Sequence, residues 1–177
     1  MTKYAAFLRG VNVGGVNLKM AEVAAALSAA GFSNVRTVLA TGNVLLESVS
    51  GVAAVRKKAE AALRENFGYD AWVLAYDIDT VRAIDGAYPF EREVDGYQSY
   101  VTFVASPDGG AGVLDELAAL GAHAGTDEKI SRGDGVIYWQ VPKGSTLDSI
   151  IGKTMGKPRY KSSTTTRNLR TLAKVLR

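Results

Sequence analysis

GFSNVRTVLATGNVLL, residues 31 to 46, reads as two short β-rich runs around a tight turn. Val35 to Leu39 and Val44 to Glu47 are rich in β-branched and aliphatic side chains, and Ala40-Thr41-Gly42-Asn43 between them has the composition of a hairpin. Upstream, Met20, Val23, Ala24 and Leu27 fall at i, i+3, i+4 and i+7, one face of a helix that Gly31 ends, and Lys3 to Leu8 reads as a strand. Downstream, Val52, Val55, Ala59, Leu63 and Phe67 repeat as a helical stripe with Arg56, Lys57, Glu60 and Arg64 outside it. Ala71 to Tyr76 closes the set as a strand. The order β-α-β-β-α-β is that of a ferredoxin-like half, assigned to residues 1–78.

A bridging helix near Asp79 to Gly86 and a loop around Pro89 occupy residues 79–96, and a similar pattern then restarts in residues 97–177. Tyr97 to Ala105 reads as a strand, Val113, Leu114, Leu117 and Leu120 as a helix, and Lys129 to Ile130 and Val136 to Val141 as strands around Arg132-Gly133-Asp134-Gly135. Leu147, Ile150 and Ile151 predict a short helix, and Leu169, Leu172, Ala173 and Leu176 a final one. The fold class expected is therefore α+β, with two ferredoxin-like halves related by internal duplication. The second is expected to be imperfect, ending in helix where the first ends in strand.

Composition narrows the function classes. At 177 residues, 47% hydrophobic and 22% charged, the chain has ordinary globular composition. Lys3 and Arg9 interrupt the start too soon for a signal-peptide core, and the longest uncharged run, Val23 to Val35, is short of the ~20 residues of a membrane span. A soluble, cytoplasmic protein without membrane contact is expected. No cysteine is present, which removes disulfides, thiolate zinc sites and thiol nucleophiles. His123 is the single histidine, so a multi-histidine metal site is excluded and any Ser-His-Asp triad would have to use that ring. No metal or cofactor is implied.

The candidate site is FLRGVNVGG, residues 7 to 15, an apolar strand running through Arg9 into a loop with Asn12, Gly14 and Gly15. Such a loop, passing from strand to helix, frees backbone N–H groups to face an anion at a helix N-terminus. In a 4-1-3-2 antiparallel sheet the first strand ends at the edge where the second and third strands turn, which makes Gly10 to Leu18 and Thr41-Gly42-Asn43 spatial neighbours. Arg9, Asn12, Gly14, Gly15, Thr41, Gly42 and Asn43 are then candidates to line one anion pocket. The simpler reading of the same glycines and asparagines is turn chemistry.

Four other features read as structural. His123 lies in a Gly- and Ala-rich loop near Asp127 and Glu128 with no nucleophile signature around it. Asp77 and Asp79 stand where a helix begins, and capping accounts for both. SPDGGAG, residues 106 to 112, is the second half's counterpart of the first glycine loop but carries Asp108 and no arginine. RGDGVIYW, residues 132 to 139, superficially follows the RNA-recognition signature. Asp134 and Val136 stand where its stacking rings should be, so a hairpin turn is the better reading.

Charge is unevenly spread. After Asp148 there is no acidic residue, while Lys153, Lys157, Arg159, Lys161, Arg167, Arg170, Lys174 and Arg177 follow, so the rest of this +3 chain is net negative. At about 100° per residue, a helix starting in Ser162 to Thr166 would gather Arg167, Arg170, Lys174 and Arg177 on one side and its leucines on another. That row of cations, with capping hydroxyls at its start, is a candidate nucleic-acid surface. A solvated basic face is the simpler alternative.

FLRGVNVGG, KMAEV (19 to 23), GFSNVRTVLATGNVLL and TTRN (165 to 168) together resemble the bacterial family catalogued as domain of unknown function 1697. The resemblance implies ferredoxin-like α/β halves and adds Arg167 and Asn168 to the candidate ligand-binding positions. It implies no reaction, because the family has no established activity. Leu169 stands where members usually carry an aromatic, typically Trp, which removes a stacking role there. The expected function is binding of a phosphate-bearing or otherwise anionic ligand by the first-half edge and the basic C-terminal segment. A nucleic-acid-binding module is the alternative. An enzyme acting on an anionic small molecule is the least supported, since no carboxylate pair, triad or metal cluster can be named. Exposed sheet faces allow a homodimer.

Overall fold

The computed structural model describes residues 1–9, 11, 16–105, 111–161 and 163–177, apart from the side chain of residue 111. The chain divides into two compact units, Met1–Arg82 with Ala173–Arg177, and Ala83–Leu172.

In the first unit β1 (Thr2–Leu8), α1 (Met20–Ala29), β2 (Ser33–Val38), β3 (Asn43–Ser48), α2 (Val52–Phe67) and β4 (Val73–Asp77) follow in sequence. The sheet is antiparallel in the order β2-β3-β1-β4. Its β1–β3 register runs from Thr2↔Ser48 to Phe7↔Asn43, and its β1–β4 register from Tyr4↔Asp77 to Leu8↔Val73. Strand alternation sends Tyr4, Ala6 and Leu8 to one face, where they pack with Val23 and Leu27 of α1 and Val55 and Leu63 of α2. Full burial of each such aliphatic side chain stabilises by roughly 1.5–3 kcal/mol. α2 stops at Gly68, whose φ of 66° lets its N–H bond Arg64 O at 3.0 Å.

Asp77 closes β4 and opens α3 (Ile78–Gly86), its Oδ1 accepting from Thr80 N at 2.8 Å and its Oδ2 from the Thr80 hydroxyl at 2.9 Å. This is the capping role expected of it.

The second unit holds β5 (Tyr97–Val104), α4 (Ala111–Ala119), β6 (Lys129–Arg132), β7 (Val136–Pro142), α5 (Ile150–Met155), α6 (Pro158–Lys161) and β8 (Thr164–Asn168). Its antiparallel order, β6-β7-β5-β8, matches that of the first sheet. Ile137, Trp139 and Val141 of β7 pack against Leu114 and Leu117 of α4 and Ile151 of α5. Ser149 caps α5 by accepting from Gly152 N at 3.0 Å. α7 (Leu169–Val175) ends the chain. Among the described residues no helix is long and apolar enough to cross a membrane.

Two expectations are corrected. The final helix does not start in Ser162 to Thr166: Thr164–Asn168 is β8, paired with β5 from Tyr100↔Asn168 to Val104↔Thr164. The second half therefore has its fourth strand, with α7 appended. Leu147 belongs to no helix and is 80% exposed, because α5 begins only after the Ser149 cap.

Candidate functional site

The end of β1 is held from both sides. Leu8 N donates to Gly42 O at 2.8 Å, and Arg9 N donates to Trp72 O at 3.1 Å, so the hairpin turn, the β1 exit and the residue before β4 meet at one edge. The adjacency of strand end and hairpin follows from the sheet order, as the sequence geometry requires. Asn12, Gly14 and Gly15 lie outside the described residues.

Within the turn each candidate has a distinct place. Gly42 has φ 89°, and a Cβ on it would meet Leu8 Cβ at 2.9 Å. Asn43 is fully buried; its Nδ2 donates to Val38 O at 2.9 Å and Thr41 Oγ1 at 3.0 Å. The Asn43 amide nitrogen thus serves the hairpin, while Thr41 is exposed at its tip.

Arg9 is half-buried, and its guanidinium lies 5.5 Å from the Trp72 ring centroid. Loss of hydration there lowers its pKa from the ordinary arginine value. Arg56 of α2 also lies against Trp72, at 5.7 Å, with its Nε 3.3 Å from Glu60 Oε2. Residues of α2 and β4 line a groove of about 440 Å³, among them Arg56, Lys57, Glu60 and Tyr76. Burial pushes the Tyr76 phenol up to about 12, against the opposing pull of Arg56. The site is electropositive: its one lining carboxylate, Glu60, also accepts Val73 N at 2.9 Å.

The C-terminal candidates do not form a row. Arg167 is on β8, 7% exposed, and donates to Thr165 Oγ1 at 2.7 Å and Thr166 O at 3.0 Å. Its burial pushes the guanidinium pKa down to about 10. Asn168 ends β8, its Nδ2 donating to Gln98 Oε1 at 2.7 Å and its Oδ1 accepting from Arg170 N at 2.9 Å. Arg170 pairs with Glu93 at 3.2 Å, and Lys174 and Arg177 are exposed. His123 is exposed at the end of a short 3-10 turn, and Glu128 caps α5 by accepting from Ile150 N at 3.0 Å. On β7, Trp139 is buried against Tyr100 and donates to Thr102 Oγ1 at 2.9 Å, so its ring is no platform for a base.

A family profile described as "Protein of unknown function (DUF1697)" matches residues 1–138, most of the chain. The chain belongs to this family. The DUF1697 match takes in Arg9, Thr41, Gly42, Asn43, Arg56, Trp72 and Tyr76, whereas Arg167 and Asn168 lie beyond it. This DUF1697 chain is similar in fold to a structure described as that of the conserved bacterial protein SP0830 from Streptococcus pneumoniae. The TM-score is 0.76 at 23% identity, covering 98% of this chain and 96% of the other. No curated protein matches the DUF1697 chain. Sequence reasoning missed Trp72, Arg56 and Tyr76 as site residues. The one signal was that Arg56 falls outside the apolar stripe of its helix; nothing local marks Trp72 as its partner.

Proposed function

We propose that this protein, built on two ferredoxin-like halves, binds an anionic small molecule at the β1 exit of its first unit. The shared strand order of the two sheets supports the ferredoxin-like assignment and an internal duplication. The observation that carries the binding reading is the placing of two guanidiniums, Arg9 and Arg56, within 6 Å of one indole, with Lys57 close by in sequence. Cations held against an aromatic face are pre-positioned, and Arg9 has already lost part of its hydration, so an anion arriving there meets a poorly solvated charge. The nucleic-acid alternative is weaker, because Arg167 is buried in β8 and Arg170 is paired with Glu93.

Thermal unfolding in increasing phosphate, sulfate or nucleotide tests the reading. A ligand bound only by the folded state raises Tm in step with RT ln(1 + [L]/Kd). Arg9→Ala should abolish the rise while leaving the circular dichroism spectrum intact, and Arg9→Lys should restore only part of it, since an ammonium lacks the planar donor fork. A full response in Arg9→Ala, or no response of the natural protein to any of these anions, would overturn the proposal.

A further inference from the structure

The acid-free stretch after Asp148 does not end its charge in β8 and α7. Lys153, Lys157, Arg159 and Lys161 fall on α5, on α6 and on the corner between them, and all four are exposed. Packing decides which way this corner faces. Ile151 is fully buried and Met155 partly buried in the core of the second unit, and the Thr146 carbonyl oxygen lies 1.9 Å from where a Cβ on Gly152 would stand. At about 100° per residue, Lys153 stands about 160° from both Ile151 and Met155, so it points to solvent. Pro158 has no N–H to continue α5 and instead opens α6. Turn hydrogen bonds persist on both sides of the break: Lys157 N donates to Thr154 O at 3.1 Å, and Lys161 N to Lys157 O at 2.9 Å. Lys153, Lys157 and Lys161 therefore follow one another about one helical turn apart, ~6 Å between Cα atoms.

The carboxylates that could neutralise these lysines are engaged elsewhere. Glu116 of α4 accepts from Arg159 and from the Tyr160 hydroxyl, the latter at 2.8 Å, which ties α6 to α4. Glu128 accepts from Ile150 N at the start of α5. Among the described residues no carboxylate pairs with Lys153, Lys157 or Lys161. Three cations at nearly even spacing, without counter-charge, suit a polymer whose negative charges also recur at short regular intervals, as phosphates do along a nucleic-acid strand. A membrane-binding helix would have to turn an apolar face outward beside its cations. Here Ile151 and Met155 turn inward, and Leu147 is the one large apolar residue between 145 and 161 that is exposed. Arg159 lies against the Tyr160 ring at 5.8 Å, so no free ring is offered to a base and contact falls on the backbone.

We propose that the corner between α5 and α6 is a contact surface for the phosphate backbone of a single-stranded nucleic acid, held by Lys153, Lys157 and Lys161 without regard to base sequence. It lies in the second unit, stands independently of the Arg9 anion site of the first, and uses neither Arg167 nor Arg170. Replacing exposed lysines by glutamine removes their charge at positions where the fold asks little of the side chain. Replacing them by arginine keeps the charge.

The test is fluorescence anisotropy of the whole protein with fluorescein-labelled twelve-residue oligouridine and oligoadenosine, beginning at about 25 mM salt. Saturable and similar binding of both is expected, with log K falling against log salt at a slope near −2, from about −0.7 for each of three contacts. The triple variant Lys153→Gln, Lys157→Gln, Lys161→Gln should bind at least tenfold more weakly with a slope near zero, while the corresponding triple arginine variant keeps both affinity and slope. Arg9→Ala, and Arg170→Gln combined with Lys174→Gln, should leave binding within about threefold. No binding at about 25 mM salt, an undiminished affinity in the glutamine triple, or an equal loss in the Arg170 and Lys174 variant would overturn the proposal. So would equally tight binding of a blocked twelve-residue polyglutamate or of vesicles containing phosphatidylglycerol, since the surface would then belong to an acidic protein segment or a membrane.

Discussion

Single positions at the β1 exit show what a residue type reveals before its surroundings are known. Gly42 is legible as a turn residue because glycine between Thr41 and Asn43 in a β-rich context has few other uses. The structure adds a second constraint, the approach of Leu8 Cβ to 2.9 Å of where a Cβ would stand. Strain and contact act together, so Gly42→Ala should lower unfolding free energy by about 1–3 kcal/mol in urea titrations. An unchanged midpoint would mean the turn relaxes freely. Asn43 is the converse case: the same residue type suits a ligand contact or a buried amide, and only its bonds to Val38 and Thr41 tell them apart. Tyr76 was not legible at all, since its burial comes from tertiary packing. The folded protein keeps the Tyr76 proton to about pH 12, whereas an ordinary phenol loses it near pH 10.0. Between those values the folded state binds more protons than the unfolded one, so the stabilisation, complete below pH 10, is lost as pH rises toward 12. It amounts to about 2–3 kcal/mol. Tyr76→Phe should show a correspondingly flatter decline of urea midpoint across that window, and equal slopes for both proteins would refute the linkage.

At the scale of elements, those with a full period were readable and one without was not. The stripe Val52, Val55, Ala59, Leu63 and Phe67 specifies a helix because five apolar residues recur on one face, and that helix runs Val52–Phe67. β8 is five residues long, and its Ser- and Thr-rich approach carries the signature of a helix cap just before an apolar repeat. Threonine also suits a strand, and the presence of β5 alongside decides the outcome, which no local window contains. Reading Thr164–Asn168 as helix put Arg167 on a solvent face, when the strand buries it. The polar side of α2 holds a related lesson: its Glu60 stands outside the apolar stripe and in fact accepts from Val73 N at the start of β4. Glu60→Ala leaves that N–H without its partner, so the start of β4 should open more readily. Hydrogen exchange of the Val73 amide should speed up about 5- to 30-fold, corresponding to about 1–2 kcal/mol, with Leu63 of α2 little affected. Unaltered Val73 exchange would show that water replaces the carboxylate at no cost.

For the whole molecule, the repeated pattern of strands and helices made the two halves visible, but the sequence could not indicate that the last residues count with the first unit. Ala173–Arg177 groups with Met1–Arg82, although the start of α7 belongs with Ala83–Leu172. No periodicity records this, because grouping depends on contacts distant in sequence. Val175 in that segment is 1% exposed, so removing residues 173–177 should cost about 1.5–3 kcal/mol through its lost burial alone. The loss should fall on the first unit. The protein has two tryptophans, Trp72 in the first unit and Trp139 in the second, so 5-fluorotryptophan labelling gives one fluorine resonance for each unit without mutation. In urea, the chain ending at Leu172 should lose the folded Trp72 resonance at lower denaturant than the full chain. If the units unfold independently the Trp139 transition stays in place; if they unfold as one, both move together. A Trp72 transition that does not move at all would mean that the C-terminal segment adds nothing to the stability of the first unit, whatever the burial of Val175.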